Sequence, residues 1–331
     1  MDTSYKPTVA VVIPYYKVTK HVLGVIEAID RGYVDKIYAV DDCCPDKSGD
    51  VVEHRYPPEQ VTVIQNEVNQ GVGGAVIAGY KRALADHMDI IVKIDGDGQM
   101  DPRLISDFIT PIWAGEADYT KGNRFYNLDK ITDMPRMRLF GNAILSFLTK
   151  LSSGYWNLFD PTNGYTAIHR EVLQELPFDK LSKRYFFESD ILFRLNTIRA
   201  VVVDVPMDAK YHSEQSNLKI NKIIGEFLIK HTRNFAKRIF YNYFLRDASV
   251  ASIELPLGLG FFLFGIIYGS LKWTAFAKAN LATPVGTVIL ASLTTLIGLQ
   301  LLLSFLAYDI NSVPSRVRHR YGKNFSDCIK Q

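Results

Sequence analysis

Short apolar runs alternate with segments of helical spacing over the first 210 residues. Thr8 to Pro14 is a β-branched run ending in proline, and Lys36 to Val40 and Val61 to Gln65 repeat the pattern. His21 to Arg31 and Gly73 to Asp86 carry apolar residues at helical spacing, and Asp89 to Ile94 is a further apolar run. This β-α-β-α-β rhythm predicts a mostly parallel sheet covered by helices. In such sheets ligands collect beyond the carboxyl ends of the strands. Pro14, Asp41-Asp42 and the Asp95–Asp97 turn all fall there, so one cleft is expected to gather them.

The C-terminal third follows a different pattern. No charged residue occurs from Leu255 to Leu271 or from Ala279 to Tyr308. At about 1.5 Å per residue the two runs reach about 26 and 45 Å, against roughly 30 Å of hydrocarbon, so the first spans it only just. The loop between them carries only Lys272 and Lys278 as charges. This predicts a transmembrane hairpin over about 250–271 and 283–308, within a segment 249–309.

Two amphipathic stripes precede the hairpin. Leu139, Phe140, Ile144, Phe147, Leu148 and Leu151 form the first, which is read as core because most apolar stripes are. Ile220, Ile223, Ile224, Phe227 and Leu228 form the second, continued by Phe235, Ile239, Phe240, Tyr243 and Phe244. Lys and Arg interleave the second stripe, so residues 216–248 are expected to lie in a membrane surface. Residues 1–215 then form the sheet domain, and 310–331 a basic tail.

The net charge of +3 over 331 residues says little; its placement says more. Lys219, Lys222, Lys230, Arg233, Lys237, Arg238 and Arg246 precede the hairpin, and Arg316, Arg318, Arg320 and Lys323 follow it. The positive-inside rule puts the sheet domain and both termini in the cytoplasm, on a multi-pass protein of the inner (cytoplasmic) membrane. The basic segments are expected against anionic headgroups. No recognised nucleic-acid motif accompanies them, so nucleic acid is not an expected partner. Met1 to Thr8 lacks the apolar region of a signal peptide. Three cysteines, Cys43, Cys44 and Cys328, fit a reducing compartment and lack zinc-site spacing.

The densest chemistry lies at Asp95-Gly96-Asp97-Gly98-Gln99-Met100-Asp101-Pro102. Asp95, Asp97 and Gln99 alternate along the turn and aim three oxygens into one space, which suits Mg²⁺ or Mn²⁺. An EF-hand is excluded by spacing: Met100 stands where the turn glycine belongs and Ser106 where the bidentate glutamate belongs.

Further motifs follow in a fixed order. They are Val12-Ile-Pro-Tyr-Tyr16, Val40-Asp-Asp42, Asn69-Gln-Gly-Val-Gly-Gly-Ala75, the Asp95–Pro102 turn, Gly122-Asn-Arg124 and Asp160-Pro-Thr-Asn-Gly-Tyr165. Together they resemble the family-2 glycosyltransferases of GT-A (Rossmann-like) fold. More narrowly, they are similar to the polyprenyl-phosphate glycosyltransferases, the group of bactoprenol glucosyltransferase and dolichol-phosphate mannose synthase. The resemblance covers about residues 8 to 215, and the two-helix C-terminus matches the bactoprenol type.

The resemblance implies roles position by position. Pro14, Tyr15, Asp41 and Asp42 would frame a nucleotide base. Gly71, Gly73 and Gly74 would let backbone approach the nucleotide, with Asp95 and Gly96 beside it. Asp95, Asp97 and Gln99 would hold the metal, and Arg124 would neutralise phosphate. Asp160 occupies the position of a catalytic carboxylate, with Asp97 beside it in the chemistry. Glu188 and Asp190 match an acidic pair near the sugar. Tyr211, His212, Ser216 and Lys219 match loosely a segment that closes over the donor and binds the acceptor phosphate. Two departures, Tyr15-Tyr16-Lys17 and Cys43-Cys44, flank the base and ribose region.

The expected activity is inverting transfer of a hexose from a nucleotide-sugar, with UDP favoured, to a polyprenyl phosphate such as undecaprenyl phosphate. The alternatives are transfer to another lipid or glycan, or an inactive membrane-tethered scaffold. No Gln-x-x-Arg-Trp motif of processive synthases occurs. The resemblance leaves assembly into a homo-oligomer open.

Overall fold

The computed structural model describes residues 6–126, 136–208 and 220–320. They fall into two compact units, one within Met1–Phe235 and Pro314–Gln331, the other Ala236–Val313.

The first unit is built on seven strands: β1 (Val9–Tyr15), β2 (Lys36–Asp41), β3 (Val61–Gln65), β4 (Ile90–Lys93), β5 (Tyr119–Asn123), β6 (Thr166–His169) and β7 (Val202–Pro206). Their order in the sheet is β3-β2-β1-β4-β6-β5-β7. All pairings are parallel except those of β6, which runs antiparallel to both β4 and β5. Every residue of β1 and β4 is buried, as a strand covered on both faces requires. Helices α1 (Thr19–Glu27), α2 (Ser48–Arg55), α3 (Val72–Ala85), α4 (Ile105–Trp113), α5 (Arg136–Ser153), α6 (Arg170–Gln174) and α7 (Phe187–Thr197) connect the strands. The expected alternation of strands and helices around a mostly parallel sheet is therefore present. Helix α2 escaped the sequence reading because its apolar pattern is short and weak, with Val52 its one buried large side chain.

Two helices turn polar faces inward. On α5, Thr149, Ser152 and Ser153 are buried, while Phe140, Ile144 and Phe147 are 66%, 46% and 55% exposed. The core reading of this stripe is thus overturned. Hydrogen bonds between Thr149 and Ser189 and between Ser152 and His231 form part of the inward contact. On α8 (Ile220–Phe240), His231 and Asn234 are buried, while Leu228 and Ile229 are exposed.

His231 gives this packing a pH dependence. Burial pushes its pKa from 6.5 down to about 4. The folded state holds the ring neutral while the unfolded chain binds a proton first. The His231 contribution to stability is therefore level above pH 6.5 and falls as pH drops toward 4, by up to about 3 kcal/mol. Urea unfolding at pH 7 and pH 5 should show this loss as the difference between wild type and His231→Phe, which lacks it. An equal slope in the variant would assign the loss elsewhere.

The segment after residue 313 returns to the sheet domain. Buried Asp118 accepts the backbone N–H groups of Val201, Arg318 and His319, and pairs with His319 Nδ1 at 2.8 Å. The His319 ring stacks on His169 at 4.1 Å. Arg318 pairs with Glu175 at 2.8 Å, and Arg320 donates to the Ala114 carbonyl. Arg318 and Arg320, expected at lipid headgroups, are engaged by protein carboxylate and carbonyl groups instead.

The second unit centres on α9 (Val250–Lys278) and α10 (Val285–Asn311), with mean hydropathies of 2.0 and 2.1. Both are long and apolar enough to cross a membrane, and only 17% and 11% of their apolar windows are buried. Gly298 lets the helices touch: a Cβ there would stand 2.3 Å from the Phe262 backbone nitrogen. Helix α9 starts ahead of the uncharged run and so includes Glu254, whose carboxylate accepts a hydrogen bond from Ser304 at 2.7 Å. Near the far end of α10, buried Asp309 takes a two-point contact from Arg238 at 2.6 and 2.9 Å and a hydrogen bond from Tyr243.

Candidate functional site

The chain leaves β4 at Lys93 and turns through Asp95 and Asp97, as strand order and register require. Asp97 Oδ1 accepts the Gln99 backbone N–H at 3.0 Å, and Gly98 takes the left-handed conformation, φ +78°. Gly96 lies against β1, donating to the Pro14 carbonyl at 3.3 Å. This places Asp95, Gly96, Pro14 and Tyr15 side by side at the carboxyl ends of adjacent parallel strands. The Tyr15 ring is buried, which raises its hydroxyl pKa.

Beneath the turn lies a row of polar side chains that sequence reading missed. Antiparallel register pairs Lys93 with Thr166 and Thr166 with Lys121, and parallel register pairs Lys121 with Asp204. Lys93 is 1% exposed, with Nζ 2.8 Å from Asp95 Oδ1 and 3.3 Å from Glu188 Oε1. Burial opposes the Lys93 charge, but Asp95 and Glu188 outweigh it and raise its pKa. Lys121 is fully buried and donates to the Asn163 carbonyl. Burial lowers its pKa to about 8, and burial likewise raises Asp204 to about 6. The available signal was a lysine closing the apolar run Ile90–Lys93 and another in the middle of Tyr119–Asn123.

The second half of the site is the Arg124–Asp160 pair. Asp160 is 1% exposed, and Arg124 grips it at 2.7 Å through Nε and 3.1 Å through Nη2. Thr162 adds a hydrogen bond at 3.2 Å. Both Asp160 oxygens therefore accept from neighbours, and the guanidinium expected on phosphate lies on this carboxylate. A two-point, charge-assisted pair of this kind fixes the orientation of both groups.

Other expected residues fall differently. Asp41 accepts the N–H groups of Cys44 and Gly49 at 2.6 and 2.7 Å, while Asp42 accepts those of Gln70 and Gly71 at 2.9 and 2.7 Å. These carboxylates organise the turns at the strand ends. Gly71 has φ +81°, and a Cβ there would meet the Lys183 carbonyl at 2.8 Å. A Cβ at Gly73 would meet the Ser182 carbonyl at 2.5 Å, so the chain at 182–187 packs closely against both glycines. Glu188 joins the site, but Asp190, two residues on, faces elsewhere on α7. It accepts from Ser182 N at 2.9 Å and Asn234 Nδ2 at 3.0 Å. Tyr211, His212, Ser216 and Lys219 lie outside the described residues.

The donor set suits a hard divalent cation. Asp95 Oδ1 is buried and accepts no hydrogen bond of good geometry among the described residues, with the Lys93 ammonium 2.8 Å away. Among the described residues no three His, Cys, Asp or Glu side chains form a closed cage. Asp95, Asp97 and Gln99 offer the hard oxygen donors that Mg²⁺ or Mn²⁺ prefers.

The Glycosyl transferase family 2 sequence model matches residues 10–177. The chain belongs to glycosyl transferase family 2. This family-2 glycosyltransferase is 30% identical over 227 residues to the UDP-N-acetylglucosamine–dolichyl-phosphate N-acetylglucosaminyltransferase of Methanococcus voltae, covering 65% of this chain and 90% of that one. It is 29% identical to the undecaprenyl-phosphate mannosyltransferase of Micrococcus luteus, covering 60% and 81%. Among solved structures, the glucosyl-3-phosphoglycerate synthase of Mycobacterium tuberculosis, bound to Mn²⁺ and UDP, superposes with TM-score 0.50 at 20% identity. That match covers 70% of this family-2 chain and 80% of the synthase, and it supports the shared GT-A-type fold.

Proposed function

We propose that this family-2 enzyme is a membrane-anchored, inverting hexosyltransferase that moves sugar from a nucleotide-sugar, UDP-linked by preference, to a polyprenyl phosphate such as undecaprenyl phosphate. The observation that carries the reading is the Asp95–Gln99 carboxylate turn beside Glu188 and the Arg124–Asp160 pair, in a chain that also has two membrane-length helices. The Methanococcus and Micrococcus relatives are both named for polyprenyl-type phosphate acceptors, which supports the acceptor class.

Asp95, Asp97 and Gln99 would hold Mg²⁺ or Mn²⁺. When bound, the cation offsets charge on the departing diphosphate. Glu188 addresses the sugar, held by Lys93. An acceptor phosphate oxygen forms the new bond at the anomeric carbon. The bond to the nucleoside diphosphate breaks there, and its electrons leave with the diphosphate. A phosphate monoester with second pKa about 6 is largely dianionic at pH 7, so no protein base is required. Asp160, saturated by Arg124, fits a positioning role.

The catalytic domain lies in the cytoplasm on this reading, with the hairpin in the inner membrane. The chain on both sides of residues 236–313 belongs to one compact unit, so two crossings, out and back, fit the connectivity. The exposed apolar faces of α5 and α8 fit contact with lipid.

Purified protein in detergent should be incubated with undecaprenyl phosphate and a panel of nucleotide-sugars, and products read by mass spectrometry. One glycosyl-phosphate lipid, lost on chelation of divalent cations, is the expected outcome. Transfer to a glycan acceptor alone would replace the lipid-phosphate reading. Donor binding with no transfer to any acceptor would favour a scaffold.

A further inference from the structure

Lys93 places a cation where a second cation is expected to bind. Its ammonium is enclosed, 2.8 Å from Asp95 Oδ1 and 3.3 Å from Glu188 Oε1. Gly164 closes over the pair: a Cβ there would stand 2.6 Å from Lys93 Nζ and 2.8 Å from Asp95 Oδ2. The ammonium is buried at 1% exposure with Gly164 against it, so its charge stays near Asp95 when that carboxylate takes another partner. Two positive charges on one carboxylate repel, and the interior screens that repulsion much less than water does.

We propose that Lys93 is a positioning residue that makes cation binding conditional on the donor. It holds Asp95 and Glu188 in place, and its charge keeps the affinity of the pocket for a lone divalent cation low. A nucleoside diphosphate brings negative charge that outweighs Lys93, so cation and diphosphate enter together. Coupling of this kind is reciprocal: each ligand raises affinity for the other by the same factor. Glu188 acts with the opposite sign, since its carboxylate draws on the same Lys93 charge. This role depends on the reading of Asp95, Asp97 and Gln99 as the cation site.

The test is a Mn²⁺ titration read by electron paramagnetic resonance, on the full chain in detergent, with and without UDP. Wild type should bind Mn²⁺ at least tenfold more tightly with UDP than without. Lys93→Met should bind Mn²⁺ alone at least tenfold more tightly than wild type and lose most of the UDP-dependent gain. Lys93→Arg, which keeps the charge, should behave as wild type, and Glu188→Gln should bind Mn²⁺ alone more weakly. Unchanged Mn²⁺ affinity in Lys93→Met, or Lys93→Arg matching Lys93→Met, overturns the proposal while leaving the cation site intact. Should Lys93→Met fail to fold by circular dichroism, Glu188→Gln decides, and unchanged or tighter binding there overturns it. Wild type that takes up no Mn²⁺ in either condition overturns the cation site itself, and this role with it.

Discussion

Asp97→Asn is expected to lower kcat for sugar transfer about 10²–10³-fold, the usual cost of removing one group that stabilises developing charge. The side chain is only partly buried, and an asparagine oxygen can still accept the Gln99 N–H that Asp97 accepts at 3.0 Å. Stability should therefore change by no more than about 0.5 kcal/mol. Initial rates over a range of Mn²⁺ concentrations check this, with a melting curve as control. Raising Mn²⁺ should recover part of the rate. A variant within threefold of wild type at every Mn²⁺ concentration would remove Asp97 from the cation site.

Arg124→Ala should be the most damaging substitution for the fold of the site. It leaves Asp160, 1% exposed, without the guanidinium that grips it at 2.7 and 3.1 Å. Breaking a buried pair from one side costs about 3–5 kcal/mol because an uncompensated charge stays behind. The double variant Arg124→Met, Asp160→Leu should cost less than the sum of the single changes. Denaturant midpoints of the three variants measure this coupling. Asp160→Asn separates positioning from proton transfer. If Asp160 only positions, the pH–rate profile keeps its shape while kcat falls; loss of an acidic limb would make Asp160 a base.

Much of this was readable along the chain. The β-branched run at Val9–Tyr15 and the run before Asp95 are strands buried on both faces, so continuous apolarity marked them. The hairpin was equally legible, because composition alone decides whether a helix tolerates hydrocarbon. The α5 stripe was misread for a related reason. Periodicity reports that a helix has an apolar face, but not which way that face points. On α5 the polar face finds Ser189 and His231, and Phe140, Ile144 and Phe147 are left outside.

Local chemistry is legible in the order of residues: a carboxylate turn after a strand, an alternation of strands and helices, and two membrane-length apolar runs. These depend on residues within a few positions of one another. Tertiary structure alone decided how each carboxylate is engaged. Asp160 is held by a residue 36 positions away and Asp42 by residues 24 to 29 away, while Lys93 reaches Glu188 across 95. A carboxylate's behaviour depends on its burial and on the charges around it, and both are set by partners that local spacing does not reveal.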